Sequence, residues 1–384
     1  MKTIHRAYKY RFYPTNEQKE LLAKTFGSVR YVWNTILDWR SKEYTQNQTK
    51  INFVLSSKKL TEIKKDIEWL NEVSSVAIQQ TLRDQDVAFS NFFAKRGKYP
   101  NFKSKRSNQS FRLVSSGFTF RDEVLKIAKS KQPLKVKWSR KIKGEVSSIT
   151  ISKDSVDRYF VSMLSEEAIE PKPMSTKAVG IDLGLTDFAI TSDGIKYKPL
   201  KATIKYQDKL KKLQRRLSKK QHSKYKGDTT PKSKNYIKAQ KKVAKVHAKI
   251  ADCRNDFLQK LSTKLIRENQ IICLEDLSPT NMLKNRKLSK HIADASWSKF
   301  VTMLQYKADW YGRTLSFVSP WFPSSQICSH CGARDGKKPL SVRKWICPHC
   351  GVSLDRDVNA SKNILTAGLA GLACGDGNTR DLTA

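Results

Sequence analysis

From His5 to Tyr13 basic and aromatic residues alternate, the period-two pattern of a strand with one buried face, and Pro14 stops it. Thr15 and Gln18 then form a capping-box signature that opens a helix over residues 16–26. Gly27 is expected to break that helix, with residues 28–44 continuing as another. A further helix is predicted from Ser75, where Ile78, Leu82, Phe89 and Phe93 recur at roughly helical spacing. Short strand-like runs follow at 110–114, 118–122, 124–128, 134–138, 146–152 and 159–164. Their spacing and turn residues predict a small antiparallel barrel or sandwich into which the helices are inserted.

The pattern changes after the polar, Pro-containing segment 166–176, the best domain boundary. Residues 177–184, 186–194 and 195–200 read as a three-strand meander. Two basic helices are expected next, striped by Leu210, Leu213 and Leu217 and then by Ile237, Val243, Ile250 and Leu258, with a loop at 223–234 between them. A buried strand over 269–277, a long helix over 289–312, a strand over 314–320 and a helix over 357–371 complete the reading. The segment 374–384 looks frayed. No internal repeat is evident.

Composition narrows the partner. The 384 residues carry 74 Lys+Arg against 35 Asp+Glu, a formal net charge of +39. Such an excess repels itself unless a polyanion lies alongside, so nucleic acid is the leading partner. No run of about 18 apolar residues is available to span a bilayer, and the N-terminus lacks a signal-peptide stretch. Residues 201–250 hold 18 Lys+Arg and two acids, with Arg215 and Arg216 as candidate phosphate contacts. The basic loop 97–108 mixes aromatics with Lys103, Lys105 and Arg106, a mixture suited to nucleic-acid backbone.

Of seven cysteines, Cys328, Cys331, Cys347 and Cys350 form two C-x2-C pairs, each followed by glycine. In a chain without a secretion signal, this spacing reads as a closed, structural zinc ribbon; a reducing cytoplasm fits best. His330 and His349 lie inside the pairs, but four thiolates complete a tetrahedral set without them. Three further signals are acidic: Asp182 and Glu275 each end an apolar run, and Asp355 and Asp357 open a helix. Carboxylates on different elements can converge on two Mg²⁺ ions about 3.5–4 Å apart, the arrangement that activates water for phosphodiester cleavage. An acid at a helix start is also an ordinary cap, and Asp355 could be that.

The order GIDLG–TDFAI, LEDL, FPSSQICSHCG, RKWICPHCG, DRDVNASKNI resembles the TnpB (OrfB-type) transposon-encoded nucleases, compact relatives of type V CRISPR effectors. The resemblance extends to YKYRFYPTNEQ, GSVRYVWN and YPNFKSKR, so it covers essentially the whole chain. Ser361 stands where a second Ala is commoner. The resemblance implies an α/β multi-domain protein: a wedge-like β-barrel (1–14 and 109–165), an inserted helical recognition domain (15–108), a linker (166–176), an RNase-H-like RuvC nuclease domain (177–325 and 354–370), a zinc ribbon (326–353) and a flexible tail (371–384). It makes Asp182, Glu275 and Asp357 the catalytic triad, favouring Asp357 over Asp355. It implies a guide RNA from the transposon end, a monomer per guide, and cleavage of double-stranded target DNA beside a short motif. Gln79 and Gln80 are candidates for reading that motif. A nuclease-inactive RNA-guided repressor and an RNase-H-like transposase are the alternatives.

Overall fold

The computed structural model describes residues 2–105, 108–220, 232–286, 288–339 and 341–374. Arg106, most of the loop expected at 223–234 and the segment 375–384 lie outside the described residues. The chain divides into two compact units, Thr3–Ala168 and the residues from Ile169 on, the latter grouped with Lys2 at the start of the chain.

In the first unit, β1 (Lys2–Phe12) keeps the expected alternation. Ile4, Tyr8, Tyr10 and Phe12 are buried, while Lys9 and Arg11 are exposed. The capping box forms: Gln18 N donates to Thr15 Oγ1 at 3.3 Å and Thr15 N to Gln18 Oε1 at 3.1 Å. The helix it opens, α1 (Asn16–Asn47), does not break at Gly27. A mid-helix glycine costs about 1 kcal/mol against alanine. Phe26, Val29, Val32, Trp33, Ile36 and Leu37 bury one stripe across it, which outweighs that cost. α2 (Phe53–Asp66) and α3 (Ser75–Phe93) close on this stripe, with Leu60, Ile63, Ile78 and Leu82 packed around Val32 and Ile36.

The strands are β2 (Gln109–Val114), β3 (Phe118–Arg121), β4 (Val124–Ile127), β5 (Val136–Lys137), β6 (Glu145–Lys153) and β7 (Tyr159–Ile169). They do not close a barrel among the described residues. The sheet is open, in the order β2-β6-β7-β1-β5, and β3–β4 is a separate hairpin. β5 has only two residues, paired with Arg11 and Phe12, and so cannot reach round to β2. The hairpin instead sends Phe118, Leu125 and Ile127 into the core beneath Leu22, Phe26 and Val29 of α1. β7 also runs to Ile169, into the segment expected to be linker. Glu167 is buried there because Arg6 on β1 meets it at 3.2 Å.

In the second unit, β8 (Ala178–Asp182), β9 (Ala189–Thr191) and β10 (Lys196–Tyr197) form the expected antiparallel meander. α4 (Ala202–Lys205), α5 (Gln207–Ser218) and α6 (Lys234–Glu268) lead to β11 (Ile271–Glu275). α7 (Pro279–Met282), α8 (Ser289–Ala295), α9 (Trp297–Tyr311) and β12 (Thr314–Val318) follow. The long helix expected over 289–312 is divided because Ser296 adopts a left-handed φ of 56°. β13 (Lys344–Ile346) and β14 (Ser353–Asp355) belong to the cysteine-rich insertion, and α10 (Arg356–Ala373) closes the unit.

The sheet order is β10-β9-β8-β11-β12, with β8, β11 and β12 mutually parallel. Both faces of these parallel strands are covered, which is why they read as continuous apolar runs. Val179, Ile181, Ile272, Leu274, Leu315 and Phe317 face α6 and α9 through Leu258, Leu261, Phe300 and Leu304. Cys273 faces α10 through Ile364. Among the described residues, no helix is long and apolar enough to cross a membrane.

Candidate active site and metal clip

Side-chain parity places the acids. On β8, Val179 and Ile181 point to α6 and α9, so Gly180 and Asp182 point to α10. On β11 the same alternation puts Ile271, Cys273 and Glu275 on the α10 side. Ile181 pairs with Leu274, so Asp182 and Glu275 end neighbouring parallel strands one step further on. Ligands of open α/β sheets bind outside such carboxyl ends. Asp357 comes to this edge on the first turn of α10.

A row of small residues lets α10 come so close. Gly180, Cys273 and Ser316 are register neighbours across β8, β11 and β12. A Cβ on Gly180 would stand 2.1 Å from the carbonyl oxygen of Ser361, so any side chain there displaces the helix. Gly368 likewise leaves room for Cys273, since its Cβ would meet that Sγ at 2.5 Å. Ser316 Oγ donates to the Gly368 carbonyl at 3.0 Å.

Asp182 is the acid whose ionisation is most opposed. Burial, then the charges of Glu275 and Asp357, lift the Asp182 carboxyl to about 7, with Arg356 pulling the other way. Burial also raises Glu275, partly offset by the Ser324 hydroxyl, which donates to its Oε1 at 2.6 Å. Asp355 is occupied otherwise. Its Oδ1 accepts from Asp357 N and Val358 N, both at 3.1 Å, and its Oδ2 meets Lys196 Nζ at 2.6 Å. Burial works to raise its carboxyl, but Lys196 and the two backbone amides hold it below the ordinary value. Asp357 meets Arg343 at 3.3 Å. Neither Lys196 nor Arg343 stood out in the sequence as a neighbour of these acids.

The cysteines form a closed set. All four Sγ atoms lie within 4.8 Å of one another, and Cys328–Cys350 and Cys331–Cys347 are each 3.7 Å apart. A tetrahedral ion with bonds of about 2.3 Å to sulfur has edges of about 3.8 Å, so the set fits zinc. The carboxylates are not brought within the same 4.8 Å spacing. Each knuckle is turned by a left-handed glycine, Gly332 at φ 74° and Gly351 at φ 69°, whose amides donate to Cys328 O and Cys347 O at 2.9 Å.

Two asparagines fasten this clip to the acid-bearing helix. Asn359 Nδ2 donates to Ile327 O at 2.7 Å, while its Oδ1 accepts from Ser329 N at 2.8 Å. Asn363 Nδ2 donates to Ser324 O at 2.8 Å and to Ile327 O at 2.7 Å. Ser324 is the residue that holds Glu275. The clip, α10 and one acid are thus one hydrogen-bonded assembly.

The other sequence candidates are dispersed. Gln79 is exposed, whereas Gln80 is buried, so α3 presents only the first to solvent. Lys103 lies with its Nζ 3.7 Å over the Trp33 ring, and Lys105 is exposed. Arg215 and Arg216 are exposed on α5. Arg216 lines a cleft with Lys219, Lys220, Lys238 and Lys242, with Leu213 also in its lining.

These features define a mixed α/β protein with an acid-lined sheet edge and a four-cysteine clip. The fold is similar to the Cas12f1 chain in the cryo-EM structure of a Cas12f1–sgRNA–target DNA complex, at TM-score 0.56 and 12% identity, covering 94% of this chain and 98% of that one. Three family models match: OrfB_IS605, described as "Probable transposase", over residues 159–286; a Cas12f1-like TNB domain over 297–364; and a helix-turn-helix domain over 1–49, where the structure has β1 and the single helix α1. A Streptomyces pristinaespiralis protein named "Putative RNA-guided DNA endonuclease" is 48% identical, covering 98% of this chain and 92% of its own. Escherichia coli K12 InsQ, which carries the same description, is 31% identical over 96% of this chain and 94% of its own. The chain belongs to the TnpB (OrfB-type) family of transposon-encoded proteins.

Proposed function

We propose that the chain is an RNA-guided DNA endonuclease whose active site is the edge formed by Asp182, Glu275 and Asp357. One observation carries the reading. Three acids from β8, β11 and α10 come to the same side of one sheet edge, and the carboxyl of Asp182 is raised first by burial and then by the charges of the other two. Buried carboxylates crowded in this way favour a cation between them. The strand order, with two antiparallel strands beside three parallel ones, supports an RNase-H-like RuvC assignment.

Asp182, Glu275 and Asp357 would hold Mg²⁺; two such ions would supply an activated water and stabilise the leaving oxygen. Ser324 orients Glu275, and Asp355 caps α10, which leaves Asp357, paired with Arg343, as the acid of that turn available to the edge. Asn359 and Asn363 transmit the clip's position to that helix. Zinc on Cys328, Cys331, Cys347 and Cys350 is structural, since four thiolates leave no open position.

The partners are a guide RNA from the transposon end and double-stranded target DNA, one chain per guide, in the cytoplasm. Base pairing with the guide supplies sequence choice, and the protein holds backbones and reads a short motif beside the target. Gln79 is the better placed of the two amides for that reading. Lys103, Lys105, Arg215 and Arg216 are backbone contacts. The domain plan expected from the family, with the open sheet replacing the barrel, completes the proposal. The test is to sequence RNA that copurifies with the full chain. A defined RNA whose variable end directs binding to matching DNA supports the reading, and a chain that carries no RNA yet binds DNA without a guide defeats it.

A further inference from the structure

We propose that the ring of Phe102 is a stacking platform for an unpaired nucleobase, a role resting on the nucleic-acid reading above. Phe102 is 61% exposed, yet the backbone on both sides of it is pinned. Asn34 clasps the peptide of Lys103 with both ends of its amide: Lys103 N donates to Asn34 Oδ1 at 2.7 Å, and Asn34 Nδ2 donates to Lys103 O at 2.9 Å. Trp33 Nε1 donates to Asn101 O at 3.0 Å, and Lys103 Nζ covers the Trp33 ring at 3.7 Å. Upstream, the Tyr99 hydroxyl lies 2.7 Å from Ser41 Oγ, and its ring stands edge-on to Phe89 and Phe92 at 5.5 and 5.3 Å. Pro100 is buried.

A single exposed aromatic is ordinary on a protein surface. This one differs because its neighbours are anchored to α1, so the backbone that carries the ring is ordered before any ligand arrives. Its surroundings select the ligand. Residues 95–105 carry Lys95, Arg96, Lys98, Lys103 and Lys105 and no acid. A protein partner would call for a contiguous apolar patch. Exposed π faces among cations, Phe102 with Tyr99 and Phe93 nearby in the chain, instead match bases stacked on rings with phosphates on the exposed Lys95, Arg96, Lys98 and Lys105. The sequence pointed to the cations of this loop; the structure singles out the phenylalanine.

The test uses the full chain freed of RNA, with short oligo-uridine and oligo-thymidine strands, each alone, paired into duplex, or made abasic. Phe102→Ala should weaken binding of a single strand by about 5- to 100-fold. Phe102→Trp should stay within about twofold of the parent. Duplex and abasic strands should bind both proteins alike, and the slope of affinity against salt should not change, because no phosphate contact is lost. A loss on oligo-uridine alone assigns the platform to RNA, and a loss on oligo-thymidine alone to opened DNA. Equal single-strand affinities for parent and Phe102→Ala, or an equal loss on abasic strands, overturn the platform while leaving the nucleic-acid reading intact. A parent chain that binds neither strand nor duplex overturns both.

Discussion

Neutralising Asp182 should stabilise the metal-free protein, and only where the acid would otherwise be charged. Its carboxyl lies at about 7 in the folded chain against an ordinary 3.8, first through burial and then through Glu275 and Asp357. A folded-state value above the unfolded one favours folding with the proton on. That contribution is complete below about pH 4 and is lost as pH rises through 7. At pH 8 the ionised acid therefore opposes folding by about 2–4 kcal/mol. The upper figure follows from 1.36 kcal/mol per tenfold change in acidity, and the lower allows for partial exposure. Asp182→Asn keeps the shape and removes the charge. Calorimetry of the full metal-free chain at pH 8 should show the unfolding transition of the Ile169-onward unit raised by roughly 4–16 °C. At pH 5 the gain should be less than half as large. An equal gain at both pH values, or a loss at pH 8, would refute the electrostatic reasoning.

Cation binding at the same edge must displace a proton from Asp182, so Mg²⁺-induced stabilisation should weaken as pH falls below 7, which calorimetry with and without Mg²⁺ can follow. Asn363→Ala takes the amide donor from the Ser324 carbonyl and leaves Ile327 O to Asn359 alone; it should cost about 1–3 kcal/mol and reduce cleavage while RNA stays bound, read by melting and a filter-binding assay. Gly180→Ala drives a methyl into the Ser361 carbonyl and should cost about 1–3 kcal/mol or more, seen as a lowered denaturation midpoint. Cys347→Ser should lower bound zinc below one per chain by elemental analysis and impair folding and cutting together, whereas Asp357→Asn should impair cutting alone.

The acids were legible because each ends an apolar run or opens a helix, and the cysteines because C-x2-C spacing admits few readings. What aligns the acids was not. Gly180, Cys273 and Ser316 are unremarkable residues until the register of β8, β11 and β12 puts them in one row under α10. Only the family motif favoured Asp357 over Asp355; the physical difference, that Asp355 is spent on two amides and Lys196 while Asp357 meets Arg343, lay in the fold. Gly27 misled because a local helix penalty is small beside a buried stripe that crosses it. The polar segment after residue 165 hid the end of β7 because the partner that makes Glu167 buriable, Arg6, lies at the other end of the unit. The barrel failed on length, with two residues in β5 where closure needs a full edge strand.

The most direct measurement is cleavage of DNA matched to the copurified RNA, with Mg²⁺ present, by the parent chain and by Asp182→Ala at equal RNA occupancy. Cutting by the parent and none by the variant is the expected result. Matched DNA cut equally by Asp182→Ala would contradict the assignment of the active site to this sheet edge.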